Sequence, residues 1–229
     1  MSFGSIRLPA VLLSALLAAL LAVPAAAQDD ARAKLRDATS VFEDLRGIEE
    51  QKIPPQLFDD ARAVAIIPGV VKVGLVVGGR RGKGVILVRR DDGSWSAPAF
   101  LTITGGSFGF QAGASSTDVV LVFRNDSSVK SLVDGKITLG GNASVAAGPV
   151  GRNAEAATDA RLKAEIYSYS RSRGAFAGVS LEGSSLAFDD DRNAHLYGPN
   201  ISVNQILYGD TPSPRAADRL RTLLAQSAQ

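Results

Sequence analysis

The stretch that decides the fold is residues 148–183, GPVGRNAEAATDARLKAEIYSYSRSRGAFAGVSLEG. Its middle alternates between two sides: Ala164, Ile166, Ser168 and Ser170 on one, and Glu165, Tyr167, Tyr169 and Arg171 on the other. A second alternating run, residues 175–182, follows turn residues 172–174. Period-two alternation around a glycine-containing turn predicts a β-hairpin. Small residues stand where an ordinary strand carries Val or Ile, which indicates that the protein's own backbone or a ligand packs closely here.

The first 27 residues have the pattern of a secretory signal peptide. Arg7 gives a positive start, residues 10–23 are uncharged and apolar, and three alanines at 25–27 fit a cleavage site before Gln28. The apolar run is shorter than the roughly 20 residues that a helix needs to span a bilayer. An uncleaved anchor is therefore the weaker alternative, and we expect an exported protein, periplasmic or secreted and peripheral to a membrane.

The remaining residues, 28–229, have the length of one domain with a C-terminal helical tail, and no later segment is apolar enough to span a membrane. The whole chain carries 25 basic and 23 acidic residues. Without Arg7 the mature chain would be nearly neutral, which argues against nucleic-acid binding. The absence of cysteine excludes disulfides, thiolate metal sites and a lipid-modified cysteine.

The order of local patterns predicts an α+β fold. Asp29 or Asp30 caps a helix that ends near Arg46, and this amphipathic helix either covers a sheet or lies on a membrane. Strand patterns fill residues 63–147, with a turn at 78–82 and a short helix at 127–133 capped by Asp126. Short helices follow at 189–197, 203–207 and 214–226. Because the strands are rich in glycine, we expect a curved or barrel-like, mainly antiparallel sheet.

Residues typical of an enzyme or a metal site are scarce. The single histidine, His195, lies on a late polar segment, and no G-x-S-x-G motif is present. Asp189, Asp191 and Asn193 have the spacing that opens a calcium loop, but Ala194 stands at its glycine position. We therefore predict no catalytic residues, no metal and no cofactor, and we expect the acidic run to cap a helix.

Short motifs along nearly the whole predicted mature chain resemble the SYLF domain, which also occurs in yeast and animal actin-patch and endocytic proteins. The resemblance covers about residues 35–198. The matching pieces are 72–74 (KVG), 78–84 (GGRRGKG), Arg89, 92–98 (DGSWSAP), 109–113 (GFQAG), 117–118 (TD), 148–152 (GPVGR), 167–170 (YSYS), 173–176 (RGAF), 178–183 (GVSLEG), Asn193 and 197–198 (YG).

The resemblance implies a lipid-binding domain, with phosphoinositides as the ligand of eukaryotic members. It also implies that the N-terminal amphipathic helix and the basic and apolar surface near it contact the membrane. Carried over, these positions are Lys34, Arg36 and Arg46 on the helix and Lys52 and Lys72 nearby. For an exported protein, the expected ligand is another anionic phospholipid of the envelope.

A basic segment between two strand patterns is a second candidate lipid site. Arg80, Arg81 and Lys83 stand among glycines whose exposed backbone N–H groups could help to bind a lipid phosphate. The equal alternative is a set of solvated charges that protect a sheet edge from aggregation.

Other polar and aromatic residues are expected to be structural. Arg152 or Arg173 with Glu182 fits a half-buried ion pair that ties the hairpin to a neighbouring segment. Tyr167, Tyr169 and Trp95 fit the core better than a ligand groove or a membrane interface.

The sequence thus favours a non-enzymatic lipid-binding protein of the bacterial envelope that engages anionic phospholipid through its N-terminal helix and basic loops. The alternative is an envelope module that binds another protein and no lipid. An unrecognised hydrolase is the weakest hypothesis, because only His195 and Asp191 support it.

Overall fold

The computed structural model describes residues 10–47, 53–74, 77–108, 113–150, 163–172 and 175–227. The helices are α1 (Ala10–Gly47), α2 (Pro55–Asp59), α3 (Asp126–Val133), α4 (Asp190–Tyr197), α5 (Val203–Tyr208) and α6 (Asp218–Ser227), the last preceded by a 3₁₀ turn (Arg215–Ala217). The strands are β1 (Ala63–Gly74), β2 (Val77–Val88), β3 (Ala99–Phe108), β4 (Gly113–Phe123), β5 (Ile137–Thr138), β6 (Val145–Ala147), β7 (Ile166–Ser172), β8 (Ala175–Gly178) and β9 (Ser184–Phe188).

These strands form one curved sheet, as predicted from the glycine-rich strand patterns. The order is β5-β9-β3-β2-β1-β4-β7-β6, and β8 pairs with the remaining length of β7. All pairs are antiparallel except β6 with β7. Together with the N-terminal helix and the short C-terminal helices, this confirms the α+β prediction.

Both faces of the sheet are covered where the central strands are apolar. On the face that we call the α1 face, side chains such as Val64, Val120 and Val122 pack against α1, α2 and α6. We call the opposite face the α3 face. There, the residues that alternate with these along the same strands pack against α3 and α5. Strands buried on both sides read as unbroken apolar runs rather than as alternating ones, which explains the sequence of residues 63–67 and 119–123.

The four central strands continue beyond this packed region. A bulge at Pro68 and Gly69 shifts the register of β1 against both neighbours, and Gly69 adopts a φ of +64° that favours glycine. Past the bulge lie residues 71–74 of β1, 78–81 of β2, 104–106 of β3 and 114–116 of β4, most of which are exposed. We call these residues the sheet extension.

The predicted hairpin is present as β7 and β8, and the structure shows what packs against it. A Cβ on Gly178 would lie 2.4 Å from the carbonyl oxygen of Gly148, and a Cβ on Gly148 would lie 2.0 Å from Cζ of Tyr169. The buried Ser168 places its Oγ 3.1 Å from the carbonyl oxygen of Ala146. The close neighbour is therefore the protein's own backbone at residues 146–148, not a ligand. The second strand ends at Gly178, before the predicted limit of 182.

The start of α1 was predicted wrongly. The helix begins at Ala10 and passes through Asp29 and Asp30, so neither residue caps it. Asp29 instead pairs with Arg32, 3.3 Å away and one turn later. Alanine has the highest helix propensity, and the alanines at 25–27 carry the helix past the expected start. Among the described residues, no helix combines the length and apolarity that crossing a membrane requires. The signal peptide and its cleavage stay predictions.

Three further boundaries differ from the sequence-based expectation. Asn125, not Asp126, is the N-cap of α3, because its side chain accepts a hydrogen bond from the backbone N–H of Ser128. Residues 137–147 form two short strands, β5 and β6, separated by a turn in which Gly140 has a φ of +77°. The last predicted helix is divided into the 3₁₀ turn and α6.

The predicted turn at residues 78–82 was also wrong, because these residues lie inside β2. Residues 78–81 pair with β1 on one side, and residues 78–82 pair with β3 on the other. A Cβ on Gly82 would lie 2.7 Å from Cγ2 of Val70, so this glycine makes room for a neighbouring core residue rather than for a turn.

Candidate functional site

The apolar stripe of α1 is buried in the core. Leu35, Ala38 and Phe42 are fully buried against the α1 face. Phe42 also packs edge-on against Phe58 of α2, with ring centroids 5.7 Å apart. Over residues 28–47, α1 therefore covers the sheet, and its outward side is the polar one.

Acidic residues of α1 hold the helix against basic residues elsewhere. Asp30 pairs with Arg192 of α4 at 2.5 Å, and Glu43 pairs with Arg219 of α6 at 2.8 Å. Asp44 pairs with Arg171 of β7. The acidic residues on this helix thus serve its attachment to the domain.

The predicted lipid-binding cations of α1 are partly engaged in the same way. Lys34 lies 3.4 Å from Asp37 on its own helix, and Arg46 donates a hydrogen bond of 3.1 Å to the Gln226 side chain. Arg36 is exposed on the polar side. Lys52 lies outside the described residues.

The basic residues of β1 and β2 are divided between the two faces of the sheet. Lys72 of β1 lies directly opposite Arg80 of β2 on the α3 face. Arg81 and Lys83 point to the α1 face, where Lys83 lies 3.5 Å from Asp189. Arg81 is exposed, and no described residue forms an ion pair with Arg81 or Lys72. The structure therefore brings Lys72, Arg80 and Arg81 together on the sheet extension. It places Arg80 and Arg81 on a strand rather than on the predicted loop.

Two apolar residues that the sequence analysis did not single out accompany these cations. Val71 is 46% exposed and Val73 is 50% exposed, and both flank Lys72 on β1. They lie on the α1 face but beyond the reach of the helices. The V-x-V alternation after the Pro-Gly bulge was visible in the sequence, yet it could not be told apart from a buried strand.

Arg80 is the most unusual cation of the group, because it is half-buried without a described carboxylate partner. Its Nη1 donates to the carbonyl oxygen of Ser180 at 3.4 Å, a long hydrogen bond. Its Nε is buried and has no partner among the described residues. Burial lowers the pKa of the Arg80 guanidinium from its ordinary value.

The aromatic candidates are core residues, as predicted. Tyr167, Tyr169 and Trp95 are all buried on the α1 face. The Tyr169 hydroxyl donates to the carbonyl oxygen of Pro149 at 3.3 Å, and burial raises the pKa of this phenol. The predicted ion pair of Glu182 is untested, because Arg152 and Arg173 lie outside the described residues; Glu182 itself is exposed.

The acidic run before α4 caps that helix, as predicted. The side chain of Asp189 accepts a hydrogen bond from the backbone N–H of Arg192 at 3.2 Å. Buried Asn193 accepts from the backbone N–H of Phe100 at 2.7 Å and donates to its carbonyl oxygen at 3.2 Å, so it joins α4 to β3. His195 is exposed in the last turn of α4. Within the described ranges, no three His, Cys, Asp or Glu residues are grouped as metal ligands would be.

A cavity of about 540 Å³ lies beside the turn after β2 and is lined by residues of both charges. Two of its arginines hold the surrounding backbone. Arg89 donates to the carbonyl oxygen of Asp59 and Arg90 to that of Gly209, each at 2.7 Å. Arg89 and Arg90 in the wall of this cavity are therefore structural residues.

Comparisons with known proteins give the family. The family model described as "Ysc84: Las17-binding protein actin regulator" matches residues 104–227. The chain is 42% identical over 182 residues to Protein YSC84 of Saccharomyces cerevisiae, covering 78% of this chain and 39% of that protein. It is 43% identical over 178 residues to an SH3 domain-containing protein of Schizosaccharomyces pombe, covering 76% of this chain and 41% of the relative. It is 39% identical over 191 residues to SH3 domain-containing YSC84-like protein 1 of Homo sapiens, covering 83% and 55%.

The match reaches from α1 to the C-terminal helices, and its family is the one that the motifs resembled. The chain spans about two fifths to just over half of the length of these relatives, so their whole-protein activities are not carried over with the match. On this sequence and this fold, the chain belongs to the Ysc84 or SYLF domain family.

Proposed function

We propose that this protein is a non-enzymatic lipid-binding protein of the bacterial envelope that engages anionic phospholipid with its sheet extension. The observation that carries the proposal is the pair of exposed valines, Val71 and Val73, next to the exposed cations Lys72 and Arg81. Apolar residues flanked by cations suit the boundary between anionic headgroups and acyl chains.

The sheet extension requires no rearrangement to meet a bilayer. A membrane that contacts the exposed end of β1 and β2 touches side chains of both faces, so the two cations and the two valines act together. Each cation close to an anionic surface contributes about 1 kcal/mol, so Lys72 and Arg81 supply about 2 kcal/mol, or about thirtyfold in partitioning. The attachment is weak and sensitive to salt.

Vesicle pelleting tests the proposal, with two variants that change net charge equally. The double variant Lys72→Glu/Arg81→Glu is expected to lose at least about thirtyfold in binding to vesicles that contain phosphatidylglycerol. The control is Lys130→Glu/Lys136→Glu, which reverses two exposed cations away from the extension. All variants are compared in the expected mature form, which begins at Gln28, so the apolar segment 1–27 does not contribute to binding. Equal losses in both variants, or equal binding to anionic and neutral vesicles, would contradict the proposal.

A second candidate is a protein-interaction module without a lipid ligand. The family description names Las17 binding and actin regulation, which gives this class its support. The exposed valines of the extension would then contact a protein instead. Crosslinking that recovers one stoichiometric envelope partner through residues 71–81, without vesicle binding, would favour this candidate.

The location in the cell is part of the proposal. We expect export with removal of residues 1–27, followed by peripheral attachment to an envelope membrane. Mass spectrometry of the protein from its native cells would show a mature N-terminus at Gln28, and an intact Met1 in the cytoplasmic fraction would contradict export.

A further inference from the structure

Three neighbouring strands place Arg80, Gly105 and Ser184 in one line across the α3 face. Arg80 of β2 is directly opposite Gly105 of β3, and Gly105 is directly opposite Ser184 of β9. Residues in register on adjacent strands share a face and lie about 5 Å apart. The Arg80 side chain therefore has a neighbour without a side chain, beyond which lies a hydroxyl group.

The direction of the Arg80 side chain follows from its contact. Its Nη1 reaches the carbonyl oxygen of Ser180, in the segment between β8 and β9, so the guanidinium leans over Gly105 toward β9. The space over Gly105 is narrow on the β9 side, because a Cβ there would lie 2.8 Å from the Ser184 Oγ. Gly105 thus lets the guanidinium and the hydroxyl approach each other.

Two polar groups at this place lack partners among the described residues. They are the buried Nε of Arg80 and the Oγ of Ser184, a residue with 0% exposure. A buried donor or hydroxyl is normally satisfied, because leaving one unpaired costs free energy of folding. Both atoms are closed off from solvent in this structure, so a movement of the Arg80 side chain is needed before an external group can accept from both and remove this cost.

The charges around Arg80 also indicate that the external group is an anion. Lys72 lies directly opposite Arg80, and like charges in that position repel each other. The described ion pairs include no carboxylate for either residue. Two adjacent cations, one of them half-buried, with unpaired donors beside them, are complementary to a compact anion.

We propose that Arg80, Lys72 and Ser184 form a binding site for a single phosphate group on the α3 face of the sheet extension. Arg80 donates to the phosphate from its guanidinium, Ser184 donates from its hydroxyl, and Lys72 supplies the second charge. Arginine suits this position because its planar guanidinium can donate two parallel hydrogen bonds to phosphate oxygens. The phosphate belongs to a lipid headgroup or to a soluble phosphate compound; in the first case the assignment rests on the proposed function.

Thermal unfolding in inorganic phosphate tests the site without any membrane. A ligand that binds only the folded state raises the melting temperature with its concentration. Phosphate also stabilises proteins generally by exclusion from their surface. The quantity to compare is therefore the phosphate-dependent rise in melting temperature of wild type and of Arg80→Gln, at matched ionic strength. We expect the wild-type temperature to rise more, and Ser184→Ala to bind phosphate at least about tenfold more weakly. Arg215→Gln is the matched control, because Arg215 is exposed on the 3₁₀ turn before α6 and belongs to neither proposed binding surface; it should respond as the wild type does.

A direct measurement avoids dependence on stability. The Nε–H proton of Arg80, identified by its loss in Arg80→Gln, is expected to shift in the NMR spectrum as phosphate is added. An unshifted signal, or equal phosphate stabilisation of wild type and Arg80→Gln, would overturn the inference.

Vesicles separate the two sources of phosphate and keep this inference distinct from the proposed function. If soluble phosphate competes with anionic vesicles and Arg80→Gln weakens both, the group is a lipid headgroup. If vesicle binding persists in Arg80→Gln while the phosphate response is lost, the site serves a soluble phosphate. Vesicle binding without any phosphate response in the wild type leaves the proposed function standing and refutes the site.

Discussion

Substitution of Gly178 by alanine is expected to destabilise the fold strongly, because the backbone of another segment occupies the position of the new methyl group. That Cβ would lie 2.4 Å from the carbonyl oxygen of Gly148, 2.9 Å from its nitrogen and 3.1 Å from the carbonyl carbon of Ala147. All three are backbone atoms, so no side-chain rotation relieves the overlap. Residues 146–148 would have to move away from β7, where Ala146 and Ala147 pair with Tyr167 and Ser168.

The magnitude follows from overpacking in a well-ordered core, which costs about 1–3 kcal/mol and occasionally more. We place Gly178→Ala at about 3 kcal/mol, the upper end of that range, because the movement also disturbs strand pairing. For a domain of about 200 residues, each kcal/mol lowers the melting temperature by about 2–4 °C, so the expected decrease is about 6–12 °C.

The control is Gly106→Ala in β3, where no atom lies within 4 Å of the new methyl group. This change should leave stability unchanged or raise it slightly, because glycine costs entropy in a strand. Melting temperatures measured by circular dichroism compare the two variants in one buffer. A decrease below about 2 °C for Gly178→Ala would refute the close packing of residues 146–148 against the hairpin, since it corresponds to less than about 1 kcal/mol.

Three further changes test other parts of the structure. Asn193→Ala should cost about 2 kcal/mol in urea unfolding, because it leaves the buried N–H of Phe100 unpaired, whereas the Phe100 carbonyl keeps its bond from the backbone N–H of Asp189; a cost below about 1 kcal/mol would contradict that bridge. The pKa of the Glu165 carboxyl is lowered, chiefly because the carboxylate accepts a hydrogen bond from the backbone N–H of Ser144. The stability that this carboxylate contributes is therefore present above the ordinary pKa of 4.5 and is lost as the pH falls below it. In a plot of the free energy of unfolding against pH, Glu165→Gln should flatten the acid side. Joining Glu43→Cys and Arg219→Cys by a short bismaleimide should keep α1 docked and leave vesicle binding unchanged, whereas loss of binding would show that α1 must detach.

The sequence predicted the fold where local pattern and packing agree. Alternation in residues 164–171 gave β7 with the correct faces, and Tyr167 and Tyr169 are buried as expected. The glycines at 78–82 misled the prediction, because glycine is common both in turns and in strands that pack closely. Only the positions of Val70 and Ile103 against Gly82 show which of the two applies here.

The candidate site was predictable in composition but not in arrangement. Lys72, Arg80 and Arg81 were all recognised as basic positions, and a strand assignment would have placed Arg80 and Arg81 on opposite faces. The position of Ser184 on the same face as Arg80, one strand beyond Gly105, could not be inferred, because it depends on the pairing of β9 with β3. Val71 is exposed because the helices on the α1 face end before they reach it. The sequence of β1 alone cannot predict this.

The burial of α1 favours the sheet extension over the helix as the proposed lipid-binding surface. Leu35, Val41, Phe42 and Leu45 are all buried, and each contributes about 1.5–3 kcal/mol relative to exposure. Lifting these side chains off the sheet would therefore cost about 6–12 kcal/mol, which is comparable to the whole stability of a typical domain. Insertion into a bilayer could compensate for the lost burial of the helix. The apolar α1 face of the sheet would then still be exposed to water. The sheet extension presents its valines and cations already exposed. The proposed binding there carries no such cost, and weak membrane attachment is then compatible with an intact fold.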